Sequence, residues 1–545
     1  MSGEFGDVST LLRAVARNYP DHEAIVESGA RLSFGQWAAA TEATARFFQD
    51  LGLGRGDVVC LVLPPSIDYA VAYHAAIRLG AVTSGVNPRL GPGEVASILA
   101  RTRPLVMVVD DGAGPGARAA LDWAASSPPG PGRRSAVVDR GLLAGYRSGP
   151  GPLDPEELLP SDPVAVVWTS GTTGVPKGAI FSHANLKAVA EGVGVLSEPG
   201  DRRLSPLPFA HVGYMTRAWD ELAHVITTVI TPSPWRAGDC LALMESERVT
   251  VAQGVPTQWS LMLDHPRAAT TDYSCLRLAG TGGSTVAPAL VGRMRAVLGV
   301  PVVVRYTSTE AALTTGTAVG DDDERVALTV GRPAGNVELK LVDSSGSTIP
   351  SPQVGVVCVR SGAVMGGYWD DPAATAQVLD ADGWLHTGDL GFLDGDGDLT
   401  LVGRHIEMYI RGGYNVYPSE VEKALSSHPA LAQVAVIGIA DPVLGQVGQA
   451  FVVLEPGAEE PSLAELQHFC RRHLADYKAP DCLVVLSAMP VTSMFKVNKA
   501  ELANWSESTS EPEPASEAGR AHHSAPLSQS EPAGPSLRPQ PKEKV

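Results

Sequence analysis

The sequence predicts an α/β protein. A large N-terminal domain of parallel-sheet αβ subdomains carries a β-rich subdomain, and a small α+β C-terminal domain follows. Three observations carry that prediction. Residues 58–63 (Val-Val-Cys-Leu-Val-Leu) form an unbroken apolar run, the mark of a strand buried on both faces. A helical stretch and a second apolar run at residues 81–84 follow it, and strand–helix–strand at this spacing implies a parallel pair. Residues 336–360 instead alternate (Val337, Leu339, Leu341; Val354, Val356, Cys358), as in an antiparallel sheet with one wet face. A chain of 545 residues is long enough for two or three such units.

In chain order, Leu11, Leu12, Val15 and Ala16 are spaced for a helix, and Ala24, Ile25 and Val26 for a short strand with which residues 32–34 pair. Trp37, Ala40, Ala43 and Phe47 mark one face of a helix ending at Gly52, and a further helix spans about residues 66–79. Residues 112–160, rich in Gly, Pro, Ala and Arg, read as a surface excursion, and residues 185–195 as a helix. Strand–helix alternation resumes over 249–304, with a strand at 276–279, a tight loop at 281–284 and a helix at 288–298. The acidic run at 321–324 reads as a solvated loop. Residues 394–398 (Asp-Gly-Asp-Gly-Asp) read as a β-turn, since the twelfth position of a calcium loop would be His405 rather than Glu. Pro418 starts a helix. Residues 434–503 then form a small unit of strands at 434–439, 450–454 and 483–486 around a helix at 463–474.

Composition narrows the function. A net charge of −18 argues against nucleic acid or an anionic membrane surface as partner. Six scattered cysteines with no Cys-x-x-Cys pair suggest neither a zinc site nor a disulfide framework, and fit a reducing compartment. The acidic first residues do not read as a signal peptide, and no apolar run nears the ~18 residues of a membrane span, so a soluble cytoplasmic protein is expected. The last forty positions hold seven Pro, eight Ser and no aromatic residue, and are expected to stay disordered. Their end, Lys-Glu-Lys-Val, is neither a prenylation nor a peroxisomal signal.

The most informative stretch is residues 166–178, Val-Val-Trp-Thr-Ser-Gly-Thr-Thr-Gly-Val-Pro-Lys-Gly. After a strand end come three glycines that let backbone N–H groups converge on one anion, hydroxyls at Thr169, Ser170, Thr172 and Thr173, and the charge of Lys177. A Gly/Thr run alone is as readily a flexible turn. The preceding strand, and the lack of any acid in so acidic a chain, favour a phosphate cradle. It is not the P-loop of common NTPases, because Lys177 is followed by Gly178 rather than Ser or Thr. The run resembles, residue for residue, the phosphate loop of the acyl-adenylate-forming enzymes: acyl-CoA synthetases, peptide-synthetase adenylation domains and firefly luciferase. Four further motifs extend the resemblance over about residues 9–503.

Residues 305–310 (Arg-Tyr-Thr-Ser-Thr-Glu) end a strand where open α/β sheets bind ligands. Tyr306 suits adenine stacking, Thr309 donation to an α-phosphate and Glu310 Mg²⁺, which prefers carboxylate and phosphate oxygens. Thr307 replaces the family's usual Gly beside the acyl pocket. By the same resemblance, Gly283 and Ser284 border the nucleotide, Asp389 accepts the ribose hydroxyls, Arg404 reaches the nucleotide, and Glu407 stands at a hinge usually occupied by Asp. His211 is by residue type more often a structural histidine. The resemblance makes it a wall of the acyl pocket, with Val212, Gly213, Tyr214 and Met215 beside it, and implies a gate to the thiol tunnel. Gly412, Gly413 and Tyr414 would line the pantetheine tunnel. Lys496 would be the catalytic lysine, with Phe495 replacing the usual Gly.

The resemblance implies a domain of residues 1–402, a hinge at 403–407, a mobile small domain at 408–505 and a tail at 506–545. It implies an ATP-, Mg²⁺- and CoA-dependent acid–thiol ligase that makes acyl-AMP and pyrophosphate, then acyl-CoA and AMP. Lys177, Glu310, Thr309 and Lys496 would be the catalytic residues. The substrate expected is a medium-chain, branched or cyclic carboxylic acid. Three alternatives stay open: a peptide-synthetase adenylation domain, though His211-Val-Gly stands where an acid would hold its substrate amine; an acyl-AMP ligase loading a carrier protein; and a non-catalytic nucleotide binder.

Overall fold

The computed structural model describes residues 5–126, 135–145, 153–154, 157–169, 176–404, 407–492 and 495–508. Four sheets organise them. In the first, strands order as Ala136–Asp139, Val106–Val109, Val58–Val62, Val82–Gly85, Pro163–Thr169 and Lys177–Ser182. All pairs are parallel except the last, where Lys177–Ser182 folds back antiparallel on Pro163–Thr169. Every residue of Val58–Val62 is buried, because helices cover both faces. The helix Ile67–Arg78 between the first two strands is buried along its length, and Ser66 caps it by accepting the Tyr69 N–H at 3.2 Å.

The second sheet has nine strands and includes Glu23–Glu27, Thr227–Ile230, Arg202–Ser205, Val251–Gly254, Leu278–Gly282 and Val302–Ser308 as a parallel run. Its last parallel strand carries Tyr306 and Thr307 near its C-terminal end, where Ala312–Gly316 pairs antiparallel after a register shift between those two residues. The third sheet, Glu338–Val342, Gly355–Arg360, Leu385–Leu393 and Leu399–Arg404, is antiparallel throughout. The fourth belongs to the C-terminal unit. There Tyr409–Arg411, Tyr414–Val416, Leu431–Asp441 and Gly445–Leu454 pair antiparallel and Cys482–Leu486 joins parallel, over a separate apolar core around Val421, Val436, Val452 and Leu466.

Several elements differ from the sequence expectation. Residues 112–160 are not only a surface excursion, because they supply the helix Pro115–Ser126, the edge strand Ala136–Asp139 and the helix Arg140–Gly145. The strand holds only two adjacent valines, too few to show a period among the flanking Gly and Pro. The acidic run is exposed but not a loop: Asp322 accepts the Arg325 N–H at 2.8 Å and caps the helix Asp323–Leu328, where acidic residues favour the N-terminal dipole. The strand placed at 276–279 runs over Leu278–Gly282 instead. The last helix, Lys499–Ser508, enters the stretch assigned to the tail, and residues 509–545 lie outside the described residues. Asp394 does head a turn, its Oδ1 accepting the N–H groups of Asp396 and Asp398 at 2.9 Å each. No described helix is long and apolar enough to cross a membrane.

A buried ionic cluster ties the second sheet to the helix Ala218–Ala223. Asp220, with no exposed surface, accepts from Arg203 Nη2 at 2.9 Å and from Arg217 Nε at 2.8 Å, and His224 Nδ1 lies 2.9 Å from its other oxygen. Burial favours the neutral acid, but Arg217 and Arg203 outweigh it and hold the Asp220 carboxyl far below the usual range.

Candidate active site

The expected site residues converge where the first three sheets meet. Thr169 ends its strand, and its Oγ1 accepts the Lys177 N–H at 3.4 Å across the fold-back. Ser170, Gly171, Thr172, Thr173 and Gly174, the heart of the expected cradle, lie outside the described residues. Lys177 Nζ stands 5.3 Å from the ring centre of Tyr368, whose hydroxyl donates to Glu310 Oε1 at 2.8 Å. One tyrosine thus holds the lysine of the loop and the carboxylate of the second motif around itself. The Met365 N–H also fixes the Glu310 carbonyl at 2.8 Å. Tyr368 was not singled out from the sequence. Its only signal there is a Gly-Gly-Tyr-Trp stretch, residues 366–369, that breaks the strand pattern.

Asp389 is buried on the third sheet and bridges to the second. Its Oδ2 accepts the Tyr306 hydroxyl and its Oδ1 the Arg404 Nε at 2.9 Å. A carboxylate oxygen accepts more than one donor, so both retain capacity for a vicinal diol. The Tyr306 ring is itself buried in the core. Thr307, opposite Leu313, and Thr309 stay part-exposed.

Lys496 comes from the C-terminal unit. A Cβ on Gly283 would stand 3.5 Å from Lys496 Cε and 3.6 Å from Nζ, so the lysine lies along this turn while Ser284 beside it is exposed. Gly282 is sterically fixed, because a Cβ there would stand 2.1 Å from the Arg305 carbonyl oxygen. Burial, with the Arg404 charge adding to it and Asp389 opposing, holds the Lys496 ammonium below the usual lysine range. Desolvation, with the Lys496 charge second, pushes His211 down to about 3, which keeps its ring neutral at physiological pH. Its Nε2 lies 3.3 Å from Asn87 Nδ2.

Behind His211, Tyr214 stacks on Phe209 with centroids 3.5 Å apart and planes 4° apart, and Tyr69 packs edge-on against both. Tyr214 and Met215 are buried, Val212 is part-exposed and Gly213 exposed. Glu407 pairs at 2.8 Å with Lys499, which also holds Glu422 at 2.9 Å. His405 and Ile406 of the expected hinge lie outside the described residues.

Gly412 and Gly413 do not join this group. They form the turn of the hairpin 409–416 with φ of +57° and +90°, a pair of left-handed conformations that glycine adopts without strain. The hairpin is exposed: Ile410 is 48% and Tyr414 58% accessible, and nearby Val443 87%. Tyr414 stacks on Tyr477 of the same unit, with centroids 4.5 Å apart. The small unit therefore presents Lys496 to the site and this hairpin to solvent.

One other side-chain series has the order of a nucleophilic triad. Cys358 Sγ lies 3.3 Å from His386 Nδ1, and His386 Nε2 lies 3.5 Å from Asp380 Oδ2. Cys358 is fully buried, and burial pushes its thiol up to about 11, so it stays a neutral packing group.

Comparison with known proteins places the chain in a family. The AMP-binding enzyme family matches residues 12–369, and the AMP-binding enzyme C-terminal domain matches residues 420–496. The chain is 35% identical over 524 residues to 3-[(3aS,4S,7aS)-7a-methyl-1,5-dioxo-octahydro-1H-inden-4-yl]propanoyl:CoA ligase of Mycobacterium tuberculosis, covering 92% of this chain and 99% of that protein. It is 30% identical over 507 residues to the fatty acid–[acyl-carrier-protein] ligase ScoC of Streptomyces coeruleorubidus, covering 90% and 95%. Among solved structures it resembles the anthranilate CoA ligase AuaEII in complex with anthranoyl-AMP, with a TM-score of 0.83, 25% identity, and 93% and 98% coverage.

Proposed function

The chain belongs to the AMP-binding enzyme family, and from that premise we propose that it is an AMP-forming carboxylic acid–CoA ligase. In the first step a carboxylate oxygen of the acid bonds to the α-phosphorus of ATP, and pyrophosphate leaves. In the second the sulfur of CoA bonds to the acyl carbon, the thiol proton is released, and AMP leaves with the oxygen that joined it to the acid. The observation that carries this reading is the meeting of Lys496, Asp389 and Arg404 where Tyr306 of the second sheet bonds to the third, with the Gly412–Gly413 hairpin exposed on the same unit as Lys496.

Phosphoryl transfer needs positioning and charge neutralisation more than covalent help. Lys177 and Lys496 supply positive charge, Asp389 takes the ribose diol, and Thr309 donates to the α-phosphate. Glu310 fits Mg²⁺: a part-exposed carboxylate pinned through one oxygen by Tyr368 is a hard donor, and Mg²⁺ bound with substrate phosphates needs only one or two carboxylates. The ion would neutralise the triphosphate. A rotation of the small domain, residues 408–505, about Glu407 then withdraws Lys496 and brings in the Gly412–Gly413 hairpin, whose exposed Ile410, Tyr414 and Val443 are apolar surface suited to docking.

The acid is a medium-sized cyclic one rather than a very long chain. The aromatic rings of Phe209, Tyr214 and Tyr69 pack together behind His211, and relatives are named for bicyclic and aryl acids. A carrier-protein thiol in place of CoA is the second reading, on the likeness to ScoC. Six free cysteines fit a reducing, cytoplasmic setting. Incubating the protein with ATP, Mg²⁺, CoA and a panel of linear, aromatic and alicyclic acids should yield a CoA thioester by mass spectrometry with one cyclic class. Acyl-AMP accumulating without thioester would move the acceptor to a carrier protein.

The lowered Lys496 pKa sets a pH dependence. Its charge, present at low pH, is lost on raising pH earlier than from an ordinary lysine near ~10.4. Pyrophosphate release should therefore decline on the alkaline side below that value. Lys496→Arg, which stays protonated above about pH 12, should shift that limb upward at a lower maximal rate. An alkaline limb unmoved by Lys496→Arg would contradict the assignment.

A further inference from the structure

Phe495 precedes Lys496 where the resembled enzymes carry glycine, and it keeps a glycine-like backbone, with φ of +57°. A phenylalanine is strained there, and such strain persists only where surrounding contacts over-determine it. Those contacts come from two sheets of the large domain. The Trp235 ring, after the strand Thr227–Ile230, lies 5.1 Å from the Phe495 ring at 59°. The Arg89 guanidinium, beyond the strand Val82–Gly85, lies 5.7 Å from the same ring centre. The Arg89 N–H donates to Asn87 Oδ1 at 3.0 Å, and Asn87 reaches His211 through its other side-chain atom.

We propose that Phe495, gripped by Trp235 and Arg89, is a positioning residue that fastens the Lys496 loop to the large domain and biases the enzyme toward its adenylating orientation. This rests on the two-step reading above. Glycine in its place leaves the lysine free to come and go with the small domain. Phenylalanine adds a tilted ring pair and a cation–π contact that must break before the thiol step. The clamp thus favours acyl-AMP formation and opposes the rotation that follows.

The test is Phe495→Gly, which suits the existing backbone, with each half-reaction measured separately in the full chain. Pyrophosphate release should slow about 5- to 30-fold, the size of two such ring contacts, through kcat with KM for ATP unchanged. Thioester formation from supplied acyl-AMP should be unchanged or faster. Trp235→Ala should act in the same direction, and Phe495→Trp should restore adenylation. Full adenylation in Phe495→Gly and Trp235→Ala, or equal loss in both half-reactions, overturns the clamp. If the unaltered protein forms no acyl-AMP from any acid, the two-step reading has failed instead, so the two failures are distinct.

Discussion

Lys496→Ala should slow pyrophosphate release by at least about 10²–10³-fold, the effect of losing one preorganised donor to developing charge. The lysine reaches the Gly283 turn, near enough to Asp389 and Arg404 for their charges to act on it. KM for ATP should rise little by comparison, because the nucleotide contacts proposed for Asp389 and Thr169 remain. Thioester formation from supplied acyl-AMP should be largely spared, since the proposed rotation withdraws Lys496 before that step. Rapid-quench measurement of the two half-reactions separates these outcomes. Equal loss in both would contradict the rotation, and no loss in either would remove Lys496 from catalysis.

Asp220→Ala should destabilise the large domain by about 3–5 kcal/mol, the cost of leaving buried charge uncompensated. Its carboxylate faces Arg203 and Arg217, whose side chains are 7% and 11% exposed. Without it two guanidiniums stay buried without the carboxylate they bond, and burial opposes ionisation of the neighbouring Glu221. Asp220→Asn should be nearly as damaging, because its amide N–H₂ would face the arginines. The pH dependence follows from two opposite shifts. The Asp220 pKa is lowered, so its contribution is present above the ordinary unfolded value near ~3.9 and is lost as pH falls toward the folded one. The His224 pKa is raised, mainly by its bond to Asp220, so its contribution is complete below about pH 6.5 and fades as pH rises through the folded value. The first transition in a denaturant or thermal scan reads the effect, and a variant unfolding with the parent protein would contradict it.

What is legible in the chain depends on whether the signal is local. The strand at residues 58–62 and its following helix are plain, because burial on two faces leaves an uninterrupted apolar run. The helix Pro288–Leu298 is legible to the residue, with Pro at its start and Gly299 just past its end. The edge strand Ala136–Asp139 is not, since an edge needs few apolar residues and the flanking glycines and prolines hide them. The site divides likewise. Lys177, Tyr306, Glu310, Asp389 and Lys496 sit in short motifs whose spacing is readable, whereas the link of Glu310 to Tyr368 and that of His211 to Asn87 join residues 58 and 124 positions apart. The grip of Trp235 and Arg89 on Phe495 likewise comes from distant segments, so the sequence exposes only the substitution and not its partners.

The central claim is that the acid is activated as an acyl-adenylate, and oxygen tracing tests it most directly. With both carboxylate oxygens of the acid labelled as ¹⁸O, the bond to the α-phosphorus carries one label into AMP when the thiol displaces it. One ¹⁸O per AMP, with unlabelled pyrophosphate, is the predicted result. Label in inorganic phosphate with ADP as co-product, or AMP without label, would contradict it.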